Sequence, residues 1–270
     1  MEKANKRKNL VLCMGIIISY LIMIAMNAAA NGYRFNGLTT GEVSDSYPNL
    51  FAPAGITFSI WGIIYLALLV YVVYSVMIVW KKEGSDSDCR DTYLDNTAFY
   101  FMVSSIGNAV WIILWHFQLL FASVIMMGVI LWCLYLINRS AARVYGKCCL
   151  KEKEQLLIRL PFGIYFGWIT VASIANITTL LVSYGVDGGK YESLITDAVL
   201  LIGLVIASLV ISKQHNIFYG MAVIWAYLGI LVKHLSADGF AGKYPDIIAV
   251  VVICLVGLLI VEIATWKRNQ

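Results

Sequence analysis

Apolar runs of about twenty residues recur from end to end of the chain and restrict the folds open to it. Eight of them are long enough, or nearly so, to cross about 30 Å of hydrocarbon; they lie at approximately 10–30, 54–80, 97–115, 119–138, 158–183, 195–212, 217–233 and 246–266. Lipid cannot satisfy backbone hydrogen bonds, so each run must be a helix or part of a closed barrel. Barrel strands alternate polar and apolar residues, whereas these runs are apolar on all faces. The sequence therefore predicts an all-α, polytopic transmembrane helical bundle of about eight spans.

Composition supports this fold class and excludes a soluble domain. The chain is 60% hydrophobic and 13% charged, against roughly 45–50% and about 25% in soluble proteins. A soluble protein this apolar would expose large apolar patches and aggregate. A single membrane anchor on an ordinary domain is excluded too, because the apolar runs continue to the C-terminus.

The distribution of basic residues predicts the orientation of the spans. Eight spans put both termini on one side, and 16 of the 20 Lys and Arg residues fall there; the exceptions are Arg34, Lys190, Lys233 and Lys243. By the positive-inside rule, both termini are expected in the cytoplasm of a multi-pass cell-membrane protein. The net charge of +4 follows from this asymmetry, so the expected partner is the lipid bilayer and not nucleic acid.

The N-terminal run permits two interpretations. Basic residues, an apolar stretch and Ala28–Ala30 could form a cleaved signal peptide, but the stretch is longer than the usual 7–15 apolar residues, which favours a retained span. No cysteine falls in an outer loop, so no structural disulfide is expected. The sequence also has no metal-ligand spacing.

Three connections between spans stand out. The outer segment 31–52 is polar and is interpreted either as a binding element or as a flexible connector. Residues 81–95 are expected to form a solvated loop. The basic segment 139–159 is expected to direct topology, with contact to anionic lipid as a second role.

Few residues could carry catalysis, and no catalytic residue is assigned. Asp197 and Glu262 are the acids inside spans and are candidates for a transport role, although such residues commonly pair with nearby cations. His116, His215 and His234 lie near span ends and are expected to be solvated. No metal site or required cofactor is predicted.

Aromatic and amide residues form stripes within the second, third and fifth spans. Trp61 and Tyr65 are four residues apart and share a helix face. Asn108 shares a face with Trp111 and Trp115, and Trp168, Ala172 and Asn176 have i, i+4, i+8 spacing. An amide in hydrocarbon is costly unless it is hydrogen-bonded, so both asparagines should face the bundle interior. They could link helices, or they could line a pocket with aromatic walls for a planar ligand.

These stripes resemble the TspO/MBR family of membrane proteins, also called tryptophan-rich sensory proteins or translocator proteins. The family's motifs are matched in order by Pro53 with Trp61 and Tyr65, by Asn108 with Trp111, and by Trp168 with Ala172 and Asn176. The chain departs from the pattern in having Ala52-Pro53 in place of a double proline, and in three further spans after the fifth.

The resemblance implies a five-helix domain over residues 1–190, followed by three additional helices over 191–270. It also implies a pocket for a hydrophobic, planar molecule such as a porphyrin or another tetrapyrrole, capped by the first loop, and a candidate homodimer. The predicted ligand-binding residues are Pro53, Phe58, Trp61, Tyr65, Asn108, Trp111, Trp115, Trp168, Ala172 and Asn176. A sensor or carrier is the leading interpretation; the alternatives are a small-solute transporter that uses the last three helices and an enzyme that modifies the bound ligand.

Overall fold

A computed structural model of the chain describes the backbone of residues 2–80, 87–147 and 152–268, and the side chains of residues 8–77, 92–143 and 156–268. These parts of the chain are helical, with no β-strand. The α-helices are α1 (Glu2–Gly32), α2 (Thr40–Asp45), α3 (Ile60–Trp80), α4 (Ser87–His116), α5 (Leu120–Lys147), α6 (Glu152–Ser183), α7 (Glu192–Gln214), α8 (Ile217–Leu235) and α9 (Pro245–Arg268). Short 3₁₀ helices occupy Phe35–Gly37, Gly55–Ser59 and Gly189–Tyr191.

Eight helical segments are long and apolar enough to span a bilayer, which confirms the predicted polytopic bundle. They are Lys8–Gly32, Gly55–Met77, Thr92–His116, Leu120–Arg143, Leu156–Ser183, Gly189–Gln214, Ile217–Leu235 and Pro245–Arg268. Many large apolar side chains on these segments are exposed, as expected for a surface that faces lipid. The chain is therefore a multi-pass integral membrane protein.

One predicted loop is shorter than expected. Helix α4 begins at Ser87, so residues 87–95 are helical, whereas the sequence predicted a solvated loop over 81–95. The apolar run begins later than the helix because the first turns of α4 are polar. At this end Lys8 of α1 forms an ion pair with Asp95 of α4 at 2.6 Å. Residues 81–86 lie outside the described part of the chain.

The first five spans form a closed ring. Helix α1 packs against α3 and α4, α4 packs against α5, α5 against α6, and α6 against α3. Side chains from all five helices fill the interior and are fully buried, including Ile16, Leu68, Phe101, Ile130 and Phe162. The ring order α1–α4–α5–α6–α3 places the aromatic stripes of α3, α4 and α6 around one interior.

The last three spans form a second layer on one side of this ring. Helix α8 packs along α6, α9 packs on α8, and α7 packs on α9. Glycines allow the close approach of α6 and α8, since a Cβ at Gly167 would lie 2.2 Å from the carbonyl oxygen of Tyr219. The Tyr219 hydroxyl also donates to Oγ1 of Thr170 at 3.2 Å. Small residues and interhelical hydrogen bonds are the usual means of helix association in lipid. The boundary between residues 190 and 191 stays a prediction.

We predict that Gly167→Ala destabilises the protein by about 1–3 kcal/mol, because a methyl group forced against a backbone carbonyl must push α6 and α8 apart. Unfolding in detergent, titrated with SDS and followed by circular dichroism, measures this change.

The matched control is Gly128→Ala on α5, where an added Cβ has no atom within 4 Å. That variant should be neutral or up to about 1 kcal/mol more stable, because alanine is the better helix former. Equal destabilisation by the two substitutions would contradict the close packing of α6 on α8.

Candidate functional site

A small, partly open cavity lies inside the five-helix ring, close to the segment 31–59 between α1 and α3. Its volume is about 30 Å³, roughly the space that one water molecule occupies in the liquid. The lining includes eight of the ten predicted ligand-binding residues: Pro53, Phe58, Trp61, Trp111, Trp115, Trp168, Ala172 and Asn176. Ser44, Met127, Val171 and Ala175 also line it. The sequence did not single out these four, since small and aliphatic residues are common on every span.

Trp61 is the centre of the aromatic cluster. Its ring stacks on Tyr65 at a centroid distance of 5.6 Å and lies 5.7 Å from Trp111. Trp168 meets it edge-on at 6.1 Å. Aromatic pairs at these distances contribute about 0.5–1.5 kcal/mol each beyond the area that they bury. Removal of Trp61 would therefore disturb the rings of three helices at once.

The two asparagines face the bundle interior, as predicted, but they have different surroundings. Asn176 lines the cavity, accepts a hydrogen bond from the Trp111 indole N–H at 3.2 Å and donates to the hydroxyl of Ser123 at 2.9 Å. Asn108 lies outside the cavity lining. It accepts from Asn27 of α1 at 2.6 Å and donates to the Tyr165 hydroxyl at 3.2 Å. Asn108 thus links helices, and Asn176 links helices at the cavity wall.

One cavity-lining donor has no acceptor. The indole N–H of Trp168 is buried and has no hydrogen-bond partner among the described residues. By contrast, the indole of Trp115 donates to the Thr40 carbonyl at 3.1 Å, and that of Trp111 donates to Asn176. A buried donor without an acceptor costs about 1–3 kcal/mol. Among the three indole groups compared, the Trp168 N–H is the one without an acceptor.

An open cleft adjoins the cavity between α1, α2 and α3. Its volume is about 500 Å³, and its lining includes Asn27, Asn31 and Tyr65. Phe58 and Trp61 line both the cleft and the cavity. Phe58 and Trp61 therefore lie between the small apolar cavity and the larger cleft and form the partition that separates them. Tyr65, the other predicted residue outside the cavity, contributes to the cleft.

The segment 31–59 over the site contains a short helix, and its role as a binding element stays a prediction. Helix α2 begins with a capping box in which Thr39 and Glu42 exchange hydrogen bonds. The hydrogen bond from the Thr39 backbone N–H holds the pKa of the Glu42 carboxyl below its usual range, with Arg34 adding to the effect. Ser44 of α2 is buried and lines the cavity, so this short helix forms part of the wall.

Two histidines expected in solvent are fully buried. The His116 ring lies within 3.2 Å of both the Phe35 carbonyl and the Thr40 hydroxyl, which attaches the outer segment to the end of α4. His234 lies 2.9 Å from the Leu50 carbonyl. His116 is covered by the segment 31–59, whereas His234 is covered both by that segment, at Leu50, and by the rings of Phe240 and Tyr244. The prediction of solvated histidines is wrong at these two positions.

Helix α8 holds the segment that precedes α3. The backbone N–H of Ala54 donates to the Gly229 carbonyl at 3.0 Å, and the Trp225 indole donates to the Thr57 carbonyl at 3.0 Å. Lys233 of α8 pairs with Asp45 at 2.6 Å. Because Pro53 and Phe58 lie on this segment, the second helical layer helps to position one wall of the cavity.

We predict that Gly229→Ala loosens this wall, because the new Cβ would lie 2.1 Å from Oγ1 of Thr57. Amide hydrogen exchange over residues 50–59 should become faster, while exchange in the buried core of α4 should not change.

Adding Thr57→Ala to that variant removes the nearest atoms and should restore part of the protection. Unchanged exchange over residues 50–59 in Gly229→Ala would show that α8 does not hold the segment.

Comparison with known proteins agrees with the architecture. The family model described as TSPO-like protein matches residues 12–265, a region that runs from α1 into α9 and includes all of α7 and α8. None of the curated proteins and none of the solved structures matches the sequence. The family match covers most of the chain. The five-helix ring within it carries the TspO/MBR motif residues of α3, α4 and α6. The chain belongs to the TSPO-like protein family.

Proposed function

We propose that this membrane protein binds a hydrophobic, planar small molecule of porphyrin or tetrapyrrole type in the Trp-lined cavity, as a sensor or carrier. The observation that carries the proposal is one apolar cavity lined by four indole rings, one of which has a buried N–H without an acceptor. The resemblance to the TspO/MBR family, whose members are associated with porphyrins, supports the same ligand class.

The chemistry of the wall suits such a ligand. Flat aromatic surfaces offer a large contact area to a planar ring at little conformational cost. The Trp168 N–H would donate to an acceptor at the ligand's edge, such as a ring nitrogen or a carboxylate. Ligand pockets are commonly apolar with a few placed polar groups, and this cavity has that character.

Binding requires a change in the partition. Pockets for ligands of this size measure about 300–1,000 Å³, while the small cavity measures about 30 Å³. A shift of Phe58 and Trp61 would merge it with the adjoining cleft of about 500 Å³. In the proposal these two side chains therefore act as a gate, and the ligand replaces the contacts that they make with the Trp168 ring.

The orientation and environment belong to the same proposal. The basic residues concentrate on the side of both termini, so the termini are placed in the cytoplasm of a cell-membrane protein. The site then opens near the outer face. A homodimer stays a prediction.

We predict that protoporphyrin quenches the Trp fluorescence of the purified protein, and that Trp61→Phe weakens binding about five- to tenfold through lost stacking. Trp132→Phe is the matched control, because Trp132 is 62% exposed on the outer surface of α5. Affinity that is equal in wild type and Trp61→Phe would remove the cavity as the binding site.

We predict that Trp168→Phe weakens the same binding with little loss of stability. The substitution removes an N–H that has no acceptor, and this offsets part of the buried ring area that is lost. Titration and thermal unfolding of one preparation separate the two effects. A large fall in stability with unchanged affinity would assign Trp168 to packing alone.

A second candidate is proton-coupled transport that uses the last three helices. Asp197 and Glu262 each have a buried carboxylate oxygen without a hydrogen-bond partner in the described part of the chain. The Glu262 carboxylate packs directly against Gly220 and leaves no room for a Cβ at that position. Uptake of porphyrin into proteoliposomes across a pH gradient tests this candidate. Glu262→Gln combined with Asp197→Asn should abolish the gradient dependence and leave equilibrium binding intact; gradient-driven uptake in that double variant would exclude coupling through these two acids.

A further inference from the structure

A groove separates α5 from α7 on the outside of the bundle, at the end where both helices reach the boundary of their spans. Its volume is about 530 Å³, and the two helices make little direct contact. The residues that characterise its lining are Tyr135, Arg139, Arg143, Leu209, Val210 and Lys213. We propose that this groove binds an anionic phospholipid, with its phosphate between the three cations. This site is separate from the Trp-lined cavity.

Helical spacing places the groove's side chains on facing stripes. Tyr135, Arg139 and Arg143 follow at i, i+4 and i+8 along α5, so they lie on one face of that helix. Leu209 and Lys213 are four residues apart on α7 and likewise share a face. Each helix therefore presents a ring or an aliphatic side chain deeper in the span and a cation at its end.

The three cations have no countercharge from the protein. Arg139, Arg143 and Lys213 are exposed, and no ion pair or hydrogen bond joins their side chains to any described residue. The groove lining contains no acid. Elsewhere in the described residues, Lys8, Arg34 and Lys233 each pair with a carboxylate. The groove is thus a cluster of positive charge without an internal partner.

The depth of the groove favours a lipid over a soluble anion. Arg143 and Gln214 are the last residues of their spans, so the cations lie at the headgroup level. Below them Leu209 is exposed to the hydrocarbon, and Trp132 pairs with Tyr135 at a centroid distance of 5.6 Å. Aromatic residues are enriched at this interface. A phosphate at the cations with an acyl chain along Leu209 matches both parts of the groove.

A lipid in this position would connect the two layers of the fold. Helix α5 belongs to the ring and α7 to the second layer, and their direct contact is slight. A phosphate shared between Arg139 and Lys213 would bridge the gap, as basic pockets between transmembrane helices do for anionic headgroups.

Native mass spectrometry of the full-length protein, titrated in detergent with phosphatidylglycerol or phosphatidylcholine, tests the proposal. The wild type should retain phosphatidylglycerol in preference to phosphatidylcholine. Arg139→Gln combined with Lys213→Gln should weaken that binding roughly thirty-fold, since each cation near the membrane surface contributes about one factor of five. The control is Lys267→Gln with Arg268→Gln, which removes the same charge from exposed positions of α9 and should bind as the wild type does.

Four results would overturn the proposal. Equal loss in the two double variants would reduce the effect to general surface charge, and equal retention of phosphatidylcholine would remove headgroup recognition. Displacement of the lipid by millimolar inorganic phosphate would identify a site for soluble anions. The charge-retaining variant Arg139→Lys with Lys213→Arg should keep the preference for phosphatidylglycerol, which separates loss of charge from misfolding in the glutamine variant. Loss of that preference in the charge-retaining variant would also contradict the proposal.

Discussion

The hydrocarbon around this protein offers no hydrogen-bond partners, and every polar group in the spans must find one inside the bundle. This constraint makes the backbone helical and directs the buried amides toward one another. Asn108 bridges α1 and α6 through Asn27 and Tyr165, and Asn176 joins α4 and α5 through Trp111 and Ser123. The apolar contacts of the ring are thus accompanied by hydrogen bonds that specify which helices meet.

The candidate site contains one of the positions where this constraint is incompletely met. The Trp168 indole, whose ring lines the cavity, keeps an unpartnered N–H, while Asn176 and the Trp115 indole are bonded within the protein. Placed polar groups in an apolar pocket fix the orientation of a ligand. Under the proposed function, the unfavourable energy of the unpartnered N–H would become a source of affinity in the bound state.

The second helical layer, α7–α9, contacts the segment that forms one wall of this site. Helix α8 holds the segment 50–59 by hydrogen bonds to Thr57 and from Ala54, and that segment supplies Pro53 and Phe58 to the cavity wall. The contact of α6 with α8 is close because glycine leaves room for a backbone carbonyl. Any movement of α7–α9 would therefore reach the cavity through α8, which gives the three helices a physical route to influence binding.

The sequence by itself determined the helical membrane fold and the number of spans, because apolar length is a local property. Eight of the ten residues that it named for ligand binding lie in the cavity lining, since i, i+4 spacing placed them on shared helix faces; their role in binding stays a prediction. It also placed Asn108 and Asn176 inward through the cost of a buried amide. Only the tertiary structure decided that Tyr65 belongs to the cleft, that Asn108 bonds to neighbouring helices away from the cavity, and that His116 and His234 are buried. It alone brought Arg139 and Lys213 to one groove and Gly229 against Thr57. These outcomes depend on which helices are neighbours, and contacts between residues far apart in the chain leave no periodic signal in a single sequence.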